Sequence, residues 1–146
     1  MTDPVIRIGI TGTRNGMNET QMLEVSQALE SLYTPGAEFH HGDCVGVDEE
    51  AAALAQHIGY RVVAHPGPDG ELRAHHPSDE VREPDTHFRR NRTIVNTTDL
   101  VLVVPWQDQH QTQGGTWYTH DYAIKVGRPV WVFYPRGTSA DGDIIG

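Results

Sequence analysis

Cysteine occurs once in these 146 residues, as Cys44, so there is no internal disulfide and no CxxC or Cys/His spacing for zinc. Long apolar runs are missing too: none approaches the roughly 18 residues that span a bilayer. The start, Met1-Thr2-Asp3-Pro4, enters a strand-like run without a basic segment or cleavage signal. We therefore expect a cytoplasmic protein with no membrane partner. Basic charge is scarce, with 11 Lys and Arg against 20 Asp and Glu and a net charge of −9. Such a balance argues against nucleic acid as partner, because non-specific binding depends on neutralising phosphates. A small anionic ligand needs only a few local donors. Neither the P-loop, GxxxxGK(S/T), nor the dinucleotide fingerprint GxGxxG is present. Gly9-Ile10-Thr11-Gly12 has the wrong spacing, and no acidic residue ends the second strand in the expected way. ATP or NAD held in those manners is excluded, no cofactor is expected, and no GxSxG elbow supports Ser-His-Asp catalysis.

What is present reads as one α/β domain over residues 1–146, with its core at about 5–136 and a loose tail after it. Val5 to Ile10 is a first buried strand. From Glu19 to Tyr33, Met22, Val25, Leu29 and Leu32 recur at helical spacing, and Pro35-Gly36 stops that helix. Glu38 to His41 is a second strand, followed by an Ala-rich helix opened by Asp48 and ending near Ile58-Gly59. Tyr60 to Ala64 is a third. Residues 65–85 carry Pro66, Pro68, Pro77 and Pro84 without periodicity and read as a long functional or mobile loop. A helix over 86–98 follows, then the continuous apolar strand Asp99 to Val104, a polar loop, a helix from Gly114-Gly115-Thr116 to about Val126, and a last strand, 129–134. Five strands alternating with helices predict a three-layer Rossmann-like fold, its mostly parallel five-stranded sheet covered on both faces.

The loops after strands one, two and four share the carboxyl edge, where open α/β sheets bind ligands. Gly12, Gly42, Gly46, Gly114 and Gly115 each precede or open a helix, which lets backbone N–H groups approach an anion. Any one of these is also an ordinary turn; three loops on one edge point to a site. Arg89 and Arg92 share a helical face with Arg90 about 100° away, and a guanidinium fork suits phosphate. The competing reading is a solvated face paired with Glu83 or Asp85. Asp43 and Asp48 could accept ribose hydroxyls or act as general bases, whereas Asp48, Glu49 and Glu50 also suit a helix N-terminus. The adjacent pairs His40-His41 and His75-His76 point to opposite faces of a strand, so no metal site is expected. Trp106, Trp117 and Tyr118 flank the expected site, for stacking, core packing or a subunit contact.

Four pieces carry a resemblance: Gly9-Ile10-Thr11-Gly12-Thr13-Arg14; His41-Gly42-Asp43-Cys44-Val45-Gly46-Val47-Asp48; Phe88-Arg89-Arg90-Asn91-Arg92-Thr93-Ile94; and Gly114-Gly115-Thr116. In that order they resemble the SLOG superfamily of Rossmann-like proteins. It includes the LOG phosphoribohydrolases, the DNA-processing protein DprA, and small stand-alone bacterial and phage members. The resemblance implies that Gly114, Gly115 and Thr116 hold a phosphate, with Gly12, Thr13, Arg14 and the helix of Arg89, Arg90, Asn91 and Arg92 completing the pocket. The ligand class implied is a nucleoside monophosphate or an ADP-ribose-like molecule, and relatives commonly form homo-oligomers. Arg90 matches the catalytic Arg of the LOG enzymes, but Thr119 stands where they carry Glu, and an insertion with Asp108 and His110 separates Pro105 from Gly114. Binding of a nucleotide-derived ligand is thus the first reading. The alternatives are phosphoribohydrolysis, with Arg90 and Asp43 as catalytic residues, and DprA-like single-stranded DNA binding. On this reading Arg90→Ala loses ligand at little cost in stability.

Overall fold

Five consecutive apolar residues, Leu100 to Val104, can all be buried only in a strand covered on both faces. The computed structural model, which describes residues 5–137 and 144–145, shows this arrangement. Leu100, Leu102 and Val104 join one core cluster; Val101 and Val103 join the other. The elements run β1 (Arg7–Gly12), α1 (Glu19–Leu32), β2 (Glu38–His41), α2 (Val47–Ile58), β3 (Arg61–Ala64), β4 (Glu80–Val81), α3 (His87–Thr97), β5 (Leu100–Val104), α4 (Gly115–Lys125), β6 (Val130–Val132) and β7 (Ile144–Ile145). The sheet order is β4-β3-β2-β1-β5-β6-β7. Every neighbouring pair is parallel except β6 with β7. Helices α1 and α2 pack together, as do α3 and α4, one pair to each core cluster.

The fold is the three-layer Rossmann-like arrangement expected, with all five expected strands in place. Two short edge strands widen the sheet. One, β4, sits inside the proline-rich stretch, where the Asp79 carboxylate accepts the Val62 N–H at 2.8 Å and steers the chain alongside β3. The other, β7, belongs to the tail, most of which lies outside the described residues. From β1 the chain winds outward through β2 and β3, then returns to β5 on the other side of β1. The order therefore reverses between β1 and β5, and a crevice opens at their carboxyl ends.

One polar side chain locks the start of α1 beside that crevice. Gln21 forms a capping box with Asn18, accepting the Asn18 N–H at 3.1 Å while its own N–H donates to Asn18 Oδ1 at 2.8 Å. Its amide nitrogen then donates to the carbonyls of Pro105 and Phe133, both at 2.9 Å. The side chain is 2% exposed. Gln21→Met keeps the bulk, strands the two buried carbonyls and removes the bond to the Asn18 N–H. Urea unfolding should show a loss of about 2–4 kcal/mol; wild-type stability would show that the amide has no such role.

Candidate functional site

The crevice is a cleft of about 520 Å³. One wall is the loop after β1, with Gly12, Thr13, Arg14 and Asn15; another is the start of α4, with Gly114, Gly115 and Thr116. Asp48, Arg90 and Asn91 reach it from α2 and α3. Nine of the residues singled out from sequence thus converge here. Trp106, expected to flank the site, lines it as well, and the structure adds Cys44, Leu72, Gln107 and Gln113. Leu72 arrives from the long loop because Val45 N–H donates to its carbonyl at 2.8 Å. A second hollow of about 590 Å³ adjoins across Gly114 and Gly115, walled by Phe88 and Tyr118, whose rings lie 4.5 Å apart.

Arg90 is the floor. Only 6% exposed, it donates from Nη1 to the carbonyls of Gly42 at 2.5 Å and His65 at 3.3 Å. Its Nε donates to Asn91 Oδ1 at 2.6 Å and its Nη2 to His87 Nδ1 at 3.2 Å. A guanidinium committed to four protein acceptors is a strut between the ends of β2 and β3 and the start of α3. This corrects the expectation that Arg90 carries little packing. Gly42 is needed for the same reason: a Cβ there would fall 2.7 Å from Arg90 Nη1 and 2.9 Å from Asp48 Oδ2. Asp48 Oδ2 accepts the Gly42 N–H at 2.9 Å. Burial pushes its carboxyl up to about 6, against the attraction of Arg90 and the N–H groups of Gly42 and Cys44. Burial, with Asp48 nearby, also pushes the Cys44 thiol up to about 11, so it stays protonated at neutral pH.

Other sequence candidates lie outside the cleft. The Asp43 carboxylate is buried and accepts from Arg73 Nε at 3.2 Å and from His76 N–H at 2.9 Å. It ties down the long loop rather than facing a ligand. Gly46 has φ +91°, and a Cβ there would meet the Arg14 backbone at 2.5 Å, so it lets the loops after β1 and β2 touch. Arg89 is exposed beyond the cleft, and Arg92 donates to the Tyr118 hydroxyl at 2.7 Å. Trp117, in contrast, lines the cleft and, at 3% exposed, packs into the core. Thr119 Oγ1 donates to the Gly115 carbonyl at 2.8 Å within α4.

The four helix N-termini differ. The first is closed by the Asn18 box and the third by Thr86. In α2 the first turn carries Asp48, Glu49 and Glu50, and the Val47 N–H donates to the Thr13 carbonyl. No side chain caps α4, and its first turn has no acidic residue. Among the described residues no protein acceptor meets the N–H groups of Gly115, Thr116 and Trp117, which α-helical geometry leaves unbonded. The Arg14 guanidinium stands on the same cleft, with no side-chain partner among the described residues.

Beneath the site, His41 and His65 are buried and neutral. His41 Nδ1 accepts the Asp43 N–H at 2.9 Å, so its Nε2–H donates to Ser78 Oγ, also at 2.9 Å. His65 pairs with His40 at 2.8 Å. Burial is the largest cause of both shifts, lowering His41 to about 4 and His65 to about 3.

No family model matches the sequence, and neither does any curated protein. Solved structures do match the fold. The molybdenum cofactor binding protein of the phototrophic bacterium Rippkaea orientalis is 18% identical with a TM-score of 0.68, over 91% of this chain and 78% of that one. The molybdenum cofactor carrier protein of Chlamydomonas reinhardtii is 21% identical with a TM-score of 0.63, over 95% and 86%. DNA processing protein A (DprA) of Streptococcus pneumoniae is 19% identical with a TM-score of 0.63, over 95% of this chain and 53% of that one. At these identities the likeness is one of fold alone, a Rossmann-like α/β arrangement.

Two outcomes follow. Arg90→Ala leaves buried carbonyls and the Asp48 charge unpartnered and should cost about 3–5 kcal/mol in urea unfolding; near-neutrality would show that Arg90 is no strut. The unfolded chain protonates His41 and His65 near pH 6.5, but the fold does not until about 4 and about 3, so stability is lost as pH falls below about 6.5. Asp48 opposes this, since the fold holds its proton from about 6 downwards and the unfolded chain only from near 3.8. The net loss from pH 7 to pH 4.5 is about 3 kcal/mol. Stability that is flat or rises on acidification would contradict these assignments.

Proposed function

We propose that this protein binds a small phosphate-bearing ligand of nucleotide type, a nucleoside monophosphate or an ADP-ribose-like molecule, in the cleft between β1 and β5. The observation that carries this is the uncapped N-terminus of α4, with three unused N–H groups and Arg14 on the same cleft. Such an end carries about half a positive charge and favours an anion. Gly114, Gly115 and Thr116 hold the phosphate, and Arg14 contributes the mobile charge. Trp106, 60% exposed, offers a face for a base. The volume suits a ligand of that size. Similar folds belong to proteins named for a molybdenum cofactor and for DNA processing. The net charge of −9 favours a small anion over a polyanion. The unpaired Cys44 thiol fits a reducing, cytoplasmic setting. The exposed Phe88 beside Tyr118 is the face we assign to a homodimer, which gel filtration checks.

One observation favours phosphoribohydrolysis as a second reading. Asp48 is a carboxylate on the cleft whose pKa lies near 6, the range of a general acid. Arg90 supports it from beneath, while Asp43, the catalytic carboxylate expected from sequence, is tied to Arg73 and His76. Release of free base from a nucleoside monophosphate, abolished in Asp48→Asn, would select this reading over binding alone.

Calorimetric titration of AMP and ADP-ribose tests the proposal. Arg14→Ala should weaken binding about tenfold, the size of one charge-assisted hydrogen bond, with stability unchanged. Thr116→Glu puts a carboxylate where the phosphate sits; it should raise or preserve the melting temperature and abolish binding. Wild-type affinity in both variants would overturn the phosphate assignment.

A further inference from the structure

The insertion between β5 and α4 carries His110 over the flank of α4, where it meets His120 and Asp121. His110 Nε2 and His120 Nδ1 both lie 2.8 Å from Asp121 Oδ1. One ligand atom from each residue falls within 4.8 Å of the others. We propose that His110, His120 and Asp121 form a binding site for a first-row divalent transition metal of the Zn²⁺ type.

The donor set selects the ion. Imidazole with one carboxylate suits zinc, cobalt and nickel, whereas magnesium and calcium take oxygen ligands. Tetrahedral zinc holds its ligands at about 2.0–2.2 Å, which sets ligand atoms about 3.3 Å apart. Two contacts already at 2.8 Å need to open by only about 0.5 Å to admit the ion. Both imidazoles shift the ring proton to the other nitrogen as the metal takes its place.

The frame is set before any ion arrives. Trp117 packs edge-on against both rings, with centroids 5.0 Å from His110 and 5.2 Å from His120. Its indole N–H donates to Gln107 Oε1 at 3.0 Å, and Asp108 Oδ1 accepts the Arg136 N–H at 2.9 Å, so the insertion is held near its start. His120 is nearly buried, while His110 and Asp121 are about half-exposed. Three protein ligands with an open side leave a fourth position to solvent. The ion would pin the insertion that leads into Gly114. Sequence reasoning passed over this set because it weighed adjacent histidine pairs, whereas these ligands come from a loop and a helix.

The test is titration of the full chain, freed of metal by chelator, with Co²⁺ and then Zn²⁺. We expect visible cobalt absorption that saturates at one ion per chain and is displaced by Zn²⁺. His110→Gln and Asp121→Asn, both at exposed positions, should each weaken binding at least about tenfold with an unchanged circular dichroism spectrum. The exposed His57→Gln should bind as wild type. No cobalt absorption at about tenfold molar excess, or equal binding in His110→Gln and Asp121→Asn, would overturn the site. Neither outcome bears on the nucleotide cleft.

Discussion

A single buried guanidinium holds the ligand edge of this fold together. An arginine cannot be taken out of water unless acceptors and a counter-charge meet it. Arg90 finds the carbonyls of Gly42 and His65, the side chains of Asn91 and His87, and the field of Asp48. Those partners belong to the ends of β2 and β3, the start of α2 and α3 itself. Satisfying one charge therefore fixes four elements relative to one another. It also dictates sequence: position 42 must lack a side chain, and position 48 must offer a short carboxylate.

With that floor in place, the crevice at the β1–β5 reversal acquires a chemical character. The floor's positive charge is consumed by the protein, so in the proposed function recognition falls to groups the protein leaves unused. These are the three N–H groups at the start of α4 and the guanidinium of Arg14. Among the described residues, every other helix start is closed by a side chain or carries its own acidic residues. A helix end left uncapped in the wall of a cleft is hydrated when empty and gains from an anion placed on it.

Much of the fold was legible because burial writes itself into periodicity. The continuous run of β5 and the stripe of α1 needed no tertiary knowledge. The edge strand β4 left no such trace, since two residues cannot show a period and its pairing depends on Asp79 at a distance. Gly12, Gly114 and Gly115 do line the cleft, whereas Gly42 and Gly46, expected there from the same local pattern, pack against Arg90 and the Arg14 backbone. Arg90 was not legible: in the run Arg89-Arg90-Asn91-Arg92 nothing local tells which guanidinium turns inward, and the structure sends one under the cleft and two away from it. Asp43 was misplaced likewise, its left-handed backbone (φ 56°) aiming the carboxylate at the long loop. Leu72 reaches the site only through the bond from Val45, and no sequence pattern announces that.

The central claim concerns the backbone amides of α4, and they can be observed individually. In a ¹⁵N-labelled sample titrated with ADP-ribose, the account predicts that the largest amide shifts fall on Gly115, Thr116 and Trp117, with smaller ones over residues 12–15. Shifts confined to the Phe88–Tyr118 face, or none at saturating ligand, would contradict it.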